Sequence, residues 1–203
     1  MPTLHALAML LFAALAIPGC AAAQHVPANQ AHADTPWAPD PDADAITRVL
    51  ASPAAEQLAG SFLRAQFSPQ SSSGTAPLRQ VERALTVYAT TPGFVTDPRT
   101  ALRDAGAPAY IAVPVRIGSR AETDTLQLDP APPYTPRAVA EGNEEAQTAR
   151  LLAGDTRLLL HYPSHTWFGW TETRVVAIRS DTDPGVQGRI FDAAQFRAWL
   201  TSR

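Results

Sequence analysis

The segment His161-Tyr162-Pro163-Ser164-His165 places two imidazoles four residues apart, with a hydroxyl between them. On one helix face that spacing would suit a divalent metal. Pro163 lies between them, however, and proline removes an amide and clashes inside a helix. In an extended chain the two rings would share a face about 13 Å apart, at about 3.3 Å per residue, too far for one ion. A turn at Pro163-Ser164 would bring them together; the other reading is a polar turn between two strands. Ser164 beside His165 raises nucleophilic catalysis, but adjacent side chains rarely present the hydrogen bond that activation needs. The chain contains no G-x-S-x-G elbow. Asp181-Thr182-Asp183-Pro184-Gly185 partly matches a calcium loop, yet Gly185 stands where an oxygen ligand belongs and Val186 where the sharp-turn glycine belongs. A solvated β-turn is the expectation there.

Trp167, Phe168 and Trp170 bracket Gly169. Alternation puts Trp167 and Gly169 on one face of an extended segment, and Phe168 and Trp170 on the other. Such rings make a binding surface for a partner when exposed, and ordinary core when buried. Glu141, Glu144 and Glu145 read as a solvated helix start. No cofactor motif and no assembled metal or catalytic set emerges from these residues.

The elements that must position them divide into two regions. A helix begins near Asp44 and runs past Ile46, Val49 and Leu50. Ser52 then caps a second helix with Pro53 in its first position, and Leu58, Phe62 and Leu63 give it an apolar face. Pro69 to Gly74 is a loop. Leu78, Val81, Leu85 and Tyr88 recur at helical spacing and predict another amphipathic helix, ended by Thr91-Pro92-Gly93. Asp97-Pro98 starts a short helix that stops by Gly106. From Tyr110 the period changes to two, with Ile111, Val113, Val115 and Ile117 on one face. Pro114 inside that run favours an edge or bulged strand. Leu126 and Leu128 belong to its partner, and Pro130 to Pro136 forms a rigid loop. A helix from Asn143 closes at Gly154. Strands follow at Arg157 to Tyr162 and at Thr173 to Ile178, joined by an aromatic bridge at Trp167 to Trp170. Asp192 with Gln195 forms a capping box, and Phe191 with Phe196 a hydrophobic staple, at the start of a terminal helix. Helices, then mostly strands, then a helix predict an α+β fold with a mostly antiparallel sheet. Residues 44–203 form a single domain.

Before that domain, Ala6 to Ile17 is an uninterrupted apolar run. A span needs about 20 residues, so the run is too short to cross a bilayer. It has the length of a signal-peptide core, about 7–15 residues, and Pro18-Gly19 then break it. Ile17-Pro18-Gly19-Cys20 resembles the lipobox of bacterial lipoproteins, and Cys20 is the sole cysteine of the chain. The resemblance covers the signal alone. It implies that residues 1–19 are removed, that Cys20 is lipidated, and that the chain is anchored in a membrane by acyl groups. Ala21 after the cysteine implies outer-membrane sorting. A second cleavage reading uses Ala21-Ala22-Ala23, which would release a freely soluble periplasmic form. Residues 20–43 are rich in Ala, Pro and Asp and show no apolar period, as expected of a flexible tether. Trp37 within them is an aromatic able to dock on the domain or on a partner.

The 203 residues carry 16 basic and 19 acidic groups, for a net charge of -3, and every basic side chain is arginine. A mildly acidic chain without a basic run offers no electrostatic footing for nucleic acid. With one cysteine, no internal disulfide can form, so the exported domain is stable by packing. The functional expectation is a tethered envelope protein in the periplasm that binds another protein, of an assembly, inhibitor or immunity type. The alternative is a periplasmic hydrolase or metal-dependent enzyme centred on His161 and His165.

Overall fold

A computed structural model describes Trp37, residues 40–67 and residues 74–203. The expected signal, Cys20 and most of the expected tether lie outside the described residues. No helix among the described residues is long and apolar enough to cross a membrane.

Asp42 caps the first helix, α1 (Ala43–Leu50), accepting a hydrogen bond from the Ala45 amide at 3.0 Å. Ser52 does the same for α2 (Pro53–Phe67), through the Ala55 amide at 3.3 Å. Both caps satisfy amides that the first turn leaves without a partner. Then come β1 (Leu78–Gln80), β2 (Leu85–Thr90) and the one-turn helix α3 (Pro92–Thr96). β3 (Gly106–Ile117), β4 (Asp124–Leu128) and β5 (Pro136–Ala140) form a meander. Helix α4 (Glu144–Ala149) leads to β6 (Arg157–His161), β7 (Thr166–Trp170), β8 (Val175–Ser180) and β9 (Ile190–Phe191), and α5 (Ala193–Thr201) ends the chain. The strands make one nine-stranded sheet in the order β5-β4-β3-β2-β6-β7-β8-β9, with β1 paired beside β2 on β3. Among the described strands, only the β2–β6 pair is parallel. The fold is therefore α+β, with N-terminal helices, a mostly antiparallel sheet and a C-terminal helix.

Both faces of the sheet are buried, unequally. On one face Ile111, Val113, Val115 and Ile117 pack under α1 and α2. Farther across that face, Tyr88, Leu159, Phe168 and Trp170 pack against Phe196, Trp199 and Leu200 of α5. The opposite face holds Val87, Tyr110, Leu158, Leu160 and Trp167, and α4 is the helix that touches it. Trp37 is seated on the domain. Its indole meets Trp170 edge-on at 5.0 Å and donates to the Trp170 carbonyl at 3.1 Å. Arg157 lies over the Trp37 ring at 3.7 Å and donates to its carbonyl.

Four expectations are corrected. The helix expected over Leu78 to Tyr88 is two strands, β1 and β2. β2 is paired on both sides and buried on both faces, so it shows no period of two, and its Thr86, Val87, Tyr88 and Thr90 favour strand. Thr91-Pro92 starts a helix instead of ending one, with proline in the first turn where its missing amide costs nothing. The helix expected after Asp97 is reduced to one 3-10 turn at Leu102–Asp104. Finally, Pro114 lies in a central strand. Its carbonyl accepts from the Val81 amide in the gap between β1 and β2. A residue's amide and carbonyl point the same way in a strand, so the absent amide faces the gap where the ladder is already broken.

Candidate functional site

The two histidines part company. His161 ends β6, and its Nδ1 lies 2.7 Å from the Ser164 hydroxyl while its ring packs edge-on to Trp199 at 5.4 Å. His165 follows the Pro163-Ser164 turn, and its ring meets Trp167 at 6.0 Å. Trp199 and Trp167 cover opposite faces of the sheet. The turn therefore separates the imidazoles, and one ion cannot take both. Ser164 pairs with His161 rather than His165, and its hydroxyl continues through Thr166 at 2.8 Å to Ser180 at 2.8 Å. All four residues are buried. This chain satisfies buried polar groups mutually. Burial holds the His161 ring below its ordinary pKa, with the Arg203 charge adding to the effect.

Of the two readings of the aromatic run, burial selects core over a binding surface. Trp167, Phe168 and Trp170 form β7 and are 2%, 0% and 0% exposed. Their two faces alternate as expected, but both are covered, so none of the three presents a surface to a partner. Trp170 donates to the Leu102 carbonyl at 2.9 Å, and Trp167 to Glu144 at 2.9 Å. The acidic helix start is only partly solvated. Glu145 is buried and accepts from Tyr110 at 2.9 Å and from Thr125 at 3.2 Å. Burial, followed by that carboxylate, pushes the Tyr110 hydroxyl pKa well up. Asp183 pairs with Arg203, and Asp181 is hydrogen-bonded to His165, so both acids of the expected β-turn are taken up by side-chain partners.

Two places have the makings of a site. The first is a cleft of about 410 Å³ at the start of the parallel strands β2 and β6, walled by α4. A volume of this size suits a small ligand or an inserted side chain, for which about 300–1,000 Å³ is usual. Leu85, Ala149, Leu152 and Leu158 give it apolar walls. Its rim carries two ion pairs, Arg83 with Asp40 and Arg150 with Glu82, the second at 2.5 Å. The guanidinium side chains of Arg83 and Arg150 are 75% and 59% exposed.

The second is a polar cluster at the other end of α4. Glu144, His165 and Asp181 each bring one potential ligand atom within 4.8 Å of the others. His165 Nδ1 lies 2.5 Å from Asp181 Oδ2, and its Nε2 lies 3.8 Å from Glu144 Oε2. Arg179 reaches Glu144 at 3.3 Å and Asp181 at 3.6 Å. The hydrogen bond from His165 is the main cause of a lowered Asp181 pKa, and Arg179 lowers it further. His165 holds a left-handed backbone, φ 43 and ψ 53, a region that histidine, asparagine and aspartate enter more often than other residues with a side chain. Sequence spacing carries no signal for this cluster, because its members come from α4, a turn and the end of β8. Comparison with protein-family models, curated proteins and solved structures found no match to this chain.

Proposed function

We propose that this chain is an exported envelope protein, held at the outer membrane through Cys20, whose domain acts by binding another protein. The cleft beside α4 carries this reading. It joins apolar walls to two exposed arginines, the combination that receives an apolar side chain flanked by carboxylates. Its rim ion pairs are exposed, and such pairs contribute only about 0–1 kcal/mol each. A partner's carboxylates can therefore replace Asp40 and Glu82 on Arg83 and Arg150 at little cost. Asp40 and Pro41 line the same cleft, directly ahead of α1, so a bound partner would sit where the tether joins the domain.

The test is capture from envelope extracts with the wild-type chain and with an Arg83→Glu/Arg150→Glu double variant, after circular dichroism has confirmed equal folding. A partner recovered by the wild type and lost by the double variant is the expected result. A wild-type chain that recovers no partner, or a variant that recovers the same partner equally well, would overturn the proposal.

A further inference from the structure

We infer that Glu144 and His165, with Asp181 orienting the imidazole, form a binding site for a divalent transition-metal ion, with zinc the best-matched class. This site is independent of the cleft and excludes His161. The argument starts from how each group is held. Glu144 Oε1 accepts from Trp167 Nε1 at 2.9 Å and faces Arg179 at 3.3 Å. That leaves Oε2 directed at the His165 ring, and the 3.8 Å to Nε2 is beyond hydrogen-bond reach. Zinc binds nitrogen and carboxylate oxygen at about 2.0–2.2 Å, so an ion seated between these two atoms spans the gap.

His165 is aimed by two features. Asp181 takes its Nδ1, the arrangement in which a carboxylate fixes the orientation of a metal-bound imidazole and raises its basicity. The backbone turn after Pro163-Ser164 places the ring against Trp167, on the α4 side of the sheet. Asp181 sits on Nδ1, on the far side of the ring from Nε2, so it orients the imidazole and does not itself ligate the ion. One imidazole and one carboxylate suit zinc or cobalt better than calcium or magnesium, which take all-oxygen sets. Two protein ligands leave the other coordination positions to water or to a ligand.

Arg179 is the competitor. Its guanidinium lies against both carboxylates and balances their charge. Its side chain is 50% exposed, so it can swing into water when an ion arrives. Removing it should therefore strengthen metal binding, whereas a cluster that merely pairs charges would take up no ion in either form.

The experiment is equilibrium dialysis of the purified chain against Zn²⁺ at pH 8, with Co²⁺ absorption as a readout of coordination. His165→Asn is the principal variant, since asparagine tolerates the left-handed backbone and keeps the turn. The wild type should bind one ion. His165→Asn and Glu144→Gln should each weaken binding at least tenfold, and Arg179→Ala should tighten it about tenfold, given the modest worth of two exposed ion pairs. The site is overturned if the wild type takes up no stoichiometric ion, or if uptake survives His165→Asn and Glu144→Gln unchanged. The latter result would place the metal on histidines elsewhere in the chain.

Discussion

Single residues here owe their chemistry to which face of the sheet they reach. His161 and His165 are four positions apart in the sequence, yet one is buried beside Trp199 and the other lies half exposed between carboxylates. The buried ring gives a pH prediction. Its pKa is lowered in the folded state relative to 6.5, so the unfolded chain takes up the proton first. At higher pH both states are neutral and nothing is lost. As pH falls below about 6.5 the unfolded state gains a proton that the folded state resists, and stability declines until the folded pKa is passed. Thermal melts of the wild type between pH 8 and pH 5 should show this fall. His161→Gln, which keeps a polar group beside Ser164, should flatten it; an equal pH slope in that variant would assign the loss to other groups. The hydroxyl pair at Ser164 was legible only as a possibility next to His165. Its actual partner is His161, because the turn reverses the chain and returns Ser164 toward the preceding strand.

At the scale of elements, the ends announced themselves better than the middles. The Asp192–Gln195 capping box is present in both directions, at 2.8 Å and 3.1 Å, and the Phe191–Phe196 staple closes at 5.9 Å. Both are local, so spacing alone reveals them. Helix α5 carries Phe196 and Trp199 into the aromatic core, which makes its cap matter for the whole domain. Asp192→Ala should lower stability by about 1 kcal/mol, read from the midpoint of urea unfolding with an unchanged slope. A change below a few tenths would mean that tertiary packing alone sets where α5 begins. The strands were harder to read. β3 alternates because one face carries Ile111 to Ile117 under the helices, whereas β2 and β7 are buried on both sides and lose the period. The bridge expected at Trp167 to Trp170 is strand β7 for that reason. The edge strand β5 has half-buried residues on each side and no apolar alternation to betray it.

At the scale of the whole molecule, the segment ahead of α1 is held against the domain. Trp37 lies against Trp170 and under Arg157, so the chain is already docked on the domain six residues before α1. Arg157 stacks over Tyr88 as well, at 4.6 Å, and cation–π contacts of this kind contribute about 0.5–2 kcal/mol. The proposed lipid anchor makes a prediction at the same scale. Protein extracted from its native membranes should need detergent, and its intact mass should exceed that of residues 20–203 by the mass of its acyl chains. Each buried methylene adds about 0.8 kcal/mol to anchoring, so several chains hold firmly. An unmodified mass beginning at Gln24 would instead select the Ala21-Ala22-Ala23 cleavage and a soluble form.

What the amino-acid sequence determined by itself was local: helix caps, a staple, the strand period where a single face is buried, and the order of helices and strands that defines an α+β class. These depend on residues a few positions apart, where backbone geometry leaves few choices. What only the tertiary structure decided was everything that depends on crossing the sheet. It buried the three aromatic rings of β7, separated the two histidines, enclosed Glu145, and gathered Glu144, His165 and Asp181 from three segments. Pairing partners and faces are set by packing among distant segments, and no spacing along the chain encodes them.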